Sequence, residues 1–215
     1  ACLEAAAPLL GSQRGPVSTQ GQSKLSSPES VHLNLGRQYE RMGRIVEAAQ
    51  HYAKACQIAP DCADAHNHLG IVLLRTGRPE AAEQCFRKAI DLSGSPDARN
   101  NLAVILINFG RLSEAEDQIQ AALRQAPGFG KAHNTLGIIR LNQDRLDDAI
   151  VCFQRAIGLE PDNWQAHLNL ATVYMAKGEC QKAIPSLKEA LRLNPTVEGA
   201  RKMLQEAEAT VRKLN

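Results

Sequence analysis

The stretch that decides the fold is GKAHNTLGIIRLNQDRLDDAIVCFQRAIGLEPDN, residues 130–163. It contains two short segments in which apolar residues recur at three- and four-residue steps, the pattern of an amphipathic helix. A turn joins the two segments, and Pro161 ends the second because proline cannot continue a helix. The stretch is therefore predicted to form a hairpin of two helices.

Close copies of this unit occur four more times along the chain. The units align as 29–62, 63–95, 96–129, 130–163 and 164–197, and each has 34 residues except the second, which has 33. A period of this length indicates an array in which each hairpin buries its apolar stripe against the next hairpin. The five units therefore predict a stack of helical hairpins.

Small and bulky residues recur at fixed positions within the units. Small residues at the eighth, twentieth and twenty-seventh positions are predicted to let the two helices of a hairpin approach closely, and a bulky residue at the twenty-fourth to fill the space beside them. The eighth position holds Gly36, Gly70, Ala103, Gly137 and Ala171, and the twenty-fourth holds Tyr52, Phe86, Ile119, Phe153 and Leu187. Asp61 and Asp162, which follow the closing prolines of two units, are predicted to cap the next helices.

The two ends of the chain differ from the units between them. Residues 1–28 are rich in Ser, Gln, Gly and Pro after Leu10, and they offer too little apolar surface to offset the entropy of ordering, so a flexible segment is expected. Residues 198–215 carry apolar residues on one helical face and charged residues on the other. They are predicted to form a capping helix over the last hairpin, whereas the first unit shows no corresponding cap.

On these residues the chain resembles the tetratricopeptide repeat (TPR) family over residues 29–197. The resemblance implies an all-α fold, a right-handed superhelix (an α-solenoid) of antiparallel helix hairpins whose first helices line a concave groove. TPR proteins usually act as scaffolds that bind a peptide, tail or helix of another protein in that groove. The chain departs from the family at the fourth position, where the usual Trp is replaced by His32, His66, Arg99, His133 and His167.

The resemblance implies that positions two, five, nine, twelve and thirteen of each first helix face the groove. In the three central units, apolar residues at the ninth and twelfth positions are expected to form a floor between polar residues at the fifth and thirteenth. Part of the twelfth-position set could instead be buried between helices. The predicted partner-binding residues of these units are Asn67, Ile71, Leu74, Arg75, Asn100, Val104, Ile107, Asn108, Asn134, Ile138, Leu141 and Asn142.

The first unit is charged where the central units are apolar. Arg37, Glu40 and Arg41 make its end of the groove net basic, so Arg37 and Arg41 are predicted to orient an acidic end of the partner. TPR clamps for the acidic tails of chaperones need Lys at the fifth and Asn at the ninth position of the first repeat. This chain has Leu33 and Arg37 there, so chaperone-tail binding is not expected.

A second known mode of the family fits in part. The asparagine ladder of O-GlcNAc transferase repeats uses the sixth position, which holds Asn34, Asn101 and Asn169 here but is interrupted by His68 and Thr135. The sequence therefore predicts an amide-lined groove without identifying the partner.

Composition and motifs argue against several other classes of function. A formal net charge of +2 gives no electrostatic case for nucleic-acid binding. The longest apolar runs fall far short of the roughly 18 residues that a membrane span needs. The chain contains no Gly-rich phosphate loop, nucleophile elbow or HExxH zinc motif. We therefore expect neither enzymatic activity nor a cofactor.

Metal binding is not expected either. Fourth-position histidines in successive units lie at least a helix diameter apart, roughly 10 Å, whereas one metal holds its nitrogen ligands within about 2 Å. Each imidazole is instead predicted to replace the family's Trp in packing. Cys62, His66 and His68 are close in sequence, but no second cysteine stands at ligand spacing.

Three functional hypotheses remain open. The first is a protein-interaction scaffold, with self-association through the uncapped first unit and, because the cysteines suit reduced thiols, a cytoplasmic location. The second is a regulatory or targeting arm of a larger enzyme, since the chain has no initiator Met. The third is a bacterial envelope lipoprotein that acts as an assembly factor, with Cys2 as its lipid anchor.

Overall fold

The computed structural model describes residues 27–214, which form eleven α-helices and no strand. The hairpins are α1 (Pro28–Arg41) with α2 (Ile45–Ile58), α3 (Ala63–Arg75) with α4 (Pro79–Ser93), α5 (Pro96–Asn108) with α6 (Leu112–Gln125), α7 (Gly130–Asn142) with α8 (Leu146–Leu159), and α9 (Trp164–Ala176) with α10 (Cys180–Leu193). The last helix is α11 (Glu198–Leu214). The predicted all-α fold of antiparallel hairpins is confirmed, while Cys2 and most of the predicted flexible segment lie outside the described residues.

Within each hairpin, the eighth residue of the first helix packs against the bulky residue of the second. A Cβ built on Gly137 would lie 2.5 Å from Cε1 of Phe153, and one on Gly36 would lie 2.5 Å from Cε1 of Tyr52. Glycine is therefore required where the facing residue is aromatic, because a methyl group would overlap the ring. Where the facing residue is aliphatic, as in the Ala171–Leu187 pair, alanine fits and both residues are fully buried.

Between hairpins, two positions of each first helix pack against the preceding hairpin. The third position is alanine in the last four hairpins and the tenth is valine or isoleucine, and all eight residues are fully buried: Ala65, Ala98, Ala132 and Ala166 at the third, Val72, Ile105, Ile139 and Val173 at the tenth. The first hairpin has no preceding neighbour in the described part of the chain. There Val31 is 44% exposed and the tenth position is an exposed glutamine, Gln38.

Three of the four fourth-position histidines form hydrogen bonds to the preceding turn that the sequence did not predict. Nε2 of His66, His133 and His167 lies 3.0 Å from the carbonyl oxygen of Pro60, Pro127 and Pro161, respectively. A carbonyl oxygen only accepts, so each Nε2 carries the hydrogen. These side chains therefore anchor the turn between hairpins through a polar bond, rather than only replacing a packed indole.

The predicted helix caps Asp61 and Asp162 were wrong. The N-cap of α3 is Cys62, which makes no side-chain cap bond, and the N-cap of α9 is Asn163, whose Oδ1 accepts from the Ala166 amide at 3.1 Å. In both cases the cap lies one residue beyond the Pro-Asp pair. The second residue after the proline, and not the first, therefore takes the cap position of α3 and α9.

A bidentate ion pair joins the third hairpin to the fourth. Arg140 on α7 donates from Nη1 to Oε2 of Glu116 at 2.7 Å and from Nη2 to Oε1 at 2.6 Å. This contact lowers the pKa of Glu116 to about 2, against the opposing effect of burial. Two parallel charge-assisted bonds fix orientation as well as distance, so they help hold the register of neighbouring hairpins.

The last helix covers the apolar face of the last hairpin. Ala200 and Ala207 are fully buried, and Met203, Leu204 and Val211 are partly buried against the cluster that contains Leu187. The Arg201 guanidinium of α11 donates to the carbonyl oxygen of Pro195 at 2.7 Å, in the position that histidine takes at other turns. The helix therefore continues the stacking rule of the repeats.

We predict that Gly137→Ala lowers the free energy of unfolding by roughly 1–2 kcal/mol, because overpacking against Phe153 outweighs the gain in helix propensity. Adding Phe153→Leu should recover part of this loss, since the pair then matches Ala171–Leu187. Urea unfolding and hydrogen exchange of α7 and α8 would measure the double-mutant cycle. Strictly additive effects of the two substitutions would show that this contact does not set the hairpin spacing.

Candidate functional site

The first helices of the hairpins form one continuous surface. Helices α5 and α7 contact each other, as do α7 and α9. Three adjoining depressions of about 400, 360 and 210 Å³ run along it. The first two share His68, and the second and third share Asn100 and Lys131. The predicted groove therefore exists as a surface feature that extends from α1 to α9.

The predicted apolar floor is half-buried along its whole length. Ile71, Val104 and Ile138 line the depressions. Five of the six members also pack partly against the buried clusters: Ile71, Leu74, Ile107, Ile138 and Leu141. Each of these six side chains keeps part of its surface exposed. The ninth-position residues are therefore the ones that line the depressions, and Ile71 and Ile138 stabilise the stack together with the twelfth-position residues.

The fifth-position asparagines are oriented by the following hairpin. Asn101 Nδ2 donates to Asn67 Oδ1 at 3.1 Å, and Asn169 Nδ2 donates to Asn134 Oδ1 at 3.0 Å. At the junction between them, Thr135 Oγ1 donates to Asn100 Oδ1 at 2.8 Å; its longer contact, 3.1 Å, is to the Lys131 carbonyl. All three bonds join the fifth position of one hairpin to the sixth position of the next.

These bonds leave the amide hydrogens of the three fifth-position asparagines available to the groove. With Oδ1 held as an acceptor, each Nδ2 carries two hydrogens that point away from that bond. Asn100 is only 7% exposed, yet its Nδ2 is not among the fully buried, unpaired atoms of the described residues. It also lines two of the depressions, so its exposed part faces the groove. The groove thus holds a row of three fixed donors, Asn67, Asn100 and Asn134, which we call the amide row.

The thirteenth-position residues form a less regular edge. Asn142 Nδ2 donates to the Ile138 carbonyl of its own helix at 2.8 Å, and Arg75 Nη1 donates to Glu40 Oε1 at 3.3 Å. Asn108 is exposed on α5. The structure therefore offers one well-ordered row of amides, and the second predicted row is partly occupied by bonds within the chain.

A polar cluster replaces the floor in the first hairpin. The Tyr52 hydroxyl donates to Glu40 Oε2 at 2.9 Å, and Arg37 Nε donates to His68 Nε2 at 3.3 Å. The Tyr52 and His68 rings stack with their centroids 5.1 Å apart. Burial raises the pKa of Tyr52, and so does its bond to the Glu40 carboxylate, so the phenol stays protonated and donates.

His68 is held neutral at this position. It accepts through Nε2, so the hydrogen of the neutral ring lies on Nδ1, the only buried, unpaired side-chain polar atom in the described part of the chain. That atom is 4.0 Å from Glu40 Oε2, too far for a hydrogen bond. Burial lowers the pKa of His68, and the nearby Arg37 guanidinium lowers it further.

Metal binding and thiol chemistry would each need a ligating cluster or an activated thiol among the described residues. No group of three or more His, Cys, Asp or Glu side chains in that range could hold a metal ion. Five cysteines of the described range are free, and burial raises the pKa of the Cys56 thiol to about 12, with shifts in the same direction at Cys85 and Cys152. A reactive thiol needs a lowered pKa, so these three do not fit that role.

Sequence reasoning missed the residues that organise the site. Asn101, Thr135 and Asn169 were considered only as an interrupted ladder of their own, and the pairing of Glu40 with Tyr52 was not predicted. The spacing of 34 or 35 residues between each fifth-position asparagine and its partner was the available signal. A search for polar pairs one repeat apart would have found all three.

No helix within residues 27–214 is long and apolar enough to cross a membrane.

Among families, the model of the cilia and flagella-associated protein 70 middle TPR-like domain matches residues 32–194. The curated human protein O-mannosyl-transferase TMTC2 is 35% identical over 66 residues, which cover 31% of this chain. That match spans only 8% of the length of the human protein.

Solved structures of TPR proteins share the fold. TTC0263, a thermophilic TPR protein of Thermus thermophilus, superimposes with a TM-score of 0.73 at 21% identity, covering 84% of this chain and 99% of its own. The pilF protein of Pseudomonas aeruginosa gives a TM-score of 0.66 at 22% identity, covering 86% and 91% of the two chains. The stacked hairpins are therefore those of a TPR solenoid.

We predict that Thr135→Val releases the Asn100 amide while keeping the shape of the side chain. Losing the donor to a buried acceptor should lower the free energy of unfolding by about 1–2 kcal/mol. The Asn100 Nδ2 proton resonances should also broaden or shift in NMR spectra. Thr172→Val is the matched control, because Thr172 donates only to the Leu168 carbonyl of its own helix. Equal behaviour of the two variants would contradict a role for Thr135 in orienting the amide row.

Proposed function

The chain belongs to the family of the cilia and flagella-associated protein 70 middle TPR-like domain, and on this premise we propose a non-catalytic scaffold that holds an extended segment of a partner protein in its groove. The TPR fold itself is typical of protein–protein interaction scaffolds. The single observation that carries the finer proposal is the amide row, three side-chain donors oriented by the next hairpin above a half-buried apolar floor.

The amide row favours an extended segment over a helix. An extended backbone has unpaired carbonyl oxygens that can accept from Nδ2, whereas the carbonyls of a helix are already bonded within it. Neighbouring first helices lie roughly 10 Å apart, about the length of three extended residues. In an extended backbone of the polyproline II type, which has three residues per turn, one amide would therefore meet every third carbonyl of the partner, while apolar side chains between them contact Ile71, Val104 and Ile138.

Two other functions are kept as alternatives. The partial similarity to TMTC2 supports a TPR arm attached to a larger enzyme, since that similarity covers only a small part of a mannosyl-transferase. A lipid-anchored assembly factor rests on Cys2 alone. The full reading frame tests the first, which fails if no catalytic domain accompanies these repeats, and the mass of the native protein tests the second, which fails if Cys2 is unmodified. For the scaffold we propose a cytoplasmic location.

We predict that Ile71→Glu, Val104→Glu and Ile138→Glu together abolish binding of unstructured peptides selected from a displayed library on the wild-type chain. Val104→Glu alone should weaken binding roughly tenfold, because the loss of an apolar contact costs on the order of 1–3 kcal/mol. Val151→Glu makes the same change at a 65% exposed position of α8 and should have no effect. If the triple variant keeps its helix content and binds peptides as the wild type does, the groove is not the binding site.

Self-association through the first hairpin is a further proposal, and the structure offers a mixed surface for it. Val31 and Met42 are 44% and 62% exposed, but Gln38 stands where the other hairpins bury valine or isoleucine. We expect weak dimerisation that rises with concentration in sedimentation experiments and is lost in Val31→Glu. A monomer at every concentration would refute the proposal.

A further inference from the structure

The first hairpin breaks the packing pattern of the three central hairpins on its concave side. Its ninth, twelfth and twenty-fourth positions are Arg37, Glu40 and Tyr52. The equivalent positions are apolar in the three central hairpins, where they hold Ile71, Val104 and Ile138 at the ninth, Leu74, Ile107 and Leu141 at the twelfth, and Phe86, Ile119 and Phe153 at the twenty-fourth. Local departures from an otherwise consistent pattern are expected at functional sites.

Capping the end of the stack does not account for this change. The surface that a preceding hairpin would cover is formed by the third and tenth positions, Val31 and Gln38. Arg37, Glu40 and Arg41 instead line the first depression of the groove together with His68. These polar side chains therefore face the groove. Gln38 is the polar residue on the surface that a preceding hairpin would cover.

Bonds within the cluster leave several guanidinium hydrogens unused. Glu40 is engaged at both oxygens, because Oε2 accepts from Tyr52 at 2.9 Å and Oε1 accepts from Arg75 at 3.3 Å. Arg37 donates its Nε hydrogen to His68, and its Nη2 lies 3.6 Å from Asp64 Oδ2. Arg41 is exposed and pairs with no carboxylate among the residues that the structure describes.

The cluster carries a net positive charge that one anionic group would neutralise. Three guanidinium groups, those of Arg37, Arg41 and Arg75, face two carboxylates, those of Glu40 and Asp64. His68 adds no charge, because burial and Arg37 favour its neutral form. One net positive charge therefore remains in a concave depression, where a bound anion is better shielded from water than on a flat surface.

We propose that this depression binds a carboxylate group of the partner segment, with Arg41 and Arg37 as its donors. The inference rests on the proposed function and adds to it the chemistry and the orientation of the partner. A carboxylate monoanion neutralises the cluster, whereas a phosphoryl dianion would leave it negative beside the fixed Glu40 and Asp64. The acidic residue lies at the first hairpin, and the segment that follows or precedes it runs along the amide row towards α9.

A pair of small probes tests the site on the full chain. N-acetylglutamate amide should shift the Nε–Hε NMR resonances of Arg37 and Arg41. The size of these shifts should decrease with added salt, because salt screens the ion pair. N-acetylglutamine amide, its uncharged match, should leave them unchanged, and N-acetylphosphoserine amide should bind more weakly than the carboxylate. Equal shifts with the glutamine probe, or tighter binding of the phosphoserine probe, would overturn the proposal.

Substitutions separate a specific site from a general charge effect. Arg41→Gln should weaken the glutamate probe by roughly two- to fivefold, the range of an exposed ion pair. Arg78→Gln removes the same charge from an exposed position at the start of α4, outside the depression, and should change nothing. If Arg78→Gln weakens the probe as much as Arg41→Gln, the effect is one of net charge and the site does not exist.

Selected peptides separate failure of this site from failure of the groove. Peptides selected on the wild-type chain should carry an acidic residue towards one end, and peptides selected on the Arg37→Gln, Arg41→Gln double variant should lose that preference. If the selected peptides require Val104 and Ile138 for binding but show no preference for an acidic residue, binding in the groove stands and the carboxylate site is wrong. If the glutamate probe binds but no peptide binds in the groove, the proposed groove function is wrong and the carboxylate site stands.

Discussion

The close packing of the eighth residue of each first helix against the twenty-fourth residue of the second sets the geometry on which the rest of the stack depends. Where the second helix carries an aromatic ring, as at Phe153, the facing residue is glycine because no Cβ fits. Where it carries an aliphatic side chain, as at Leu187, alanine fits. A larger side chain on the second helix is thus matched by a smaller residue on the first, which favours a similar helix spacing in every hairpin and so regular stacking of the units.

Regular stacking is also what builds the groove. Because successive hairpins repeat their geometry, the fifth residue of one central first helix lies beside the sixth residue of the next, 34 or 35 residues further along the chain. The sixth residue donates, the asparagine oxygen accepts, and the amide hydrogens are left for a ligand. No single hairpin contains this arrangement, since each amide needs a neighbour to orient it. A row of oriented amides of this kind therefore exists only as a product of the array.

The parts of the structure that follow local rules could be predicted from the sequence, and the parts that depend on contacts between hairpins could not. The small residues such as Gly137 and the helix stops at proline can be interpreted from one hairpin alone, and the period from the sequence alone. The caps Asp61 and Asp162 failed because the exact residue at which a helix starts depends on the turn between hairpins, where histidine bonds to the proline carbonyl. The Tyr52–Glu40 bond joins positions that are apolar in the other hairpins, so no periodic pattern predicts it.

The place of the polar cluster at one end of the stack follows from the same nearest-neighbour logic. A part-buried Tyr–Glu pair in a central hairpin would weaken packing on two sides. In the first hairpin the Tyr52–Glu40 pair affects only the junction with the second, where His68 of α3 stacks on Tyr52, because no other hairpin adjoins it in the described part of the chain. Within the described residues, the first hairpin therefore exchanges apolar packing for polar groups at one junction, where a central hairpin would do so at two. The central hairpins, with two junctions each, keep an apolar floor and place their polar groups at the fifth and sixth positions, where the next hairpin satisfies them.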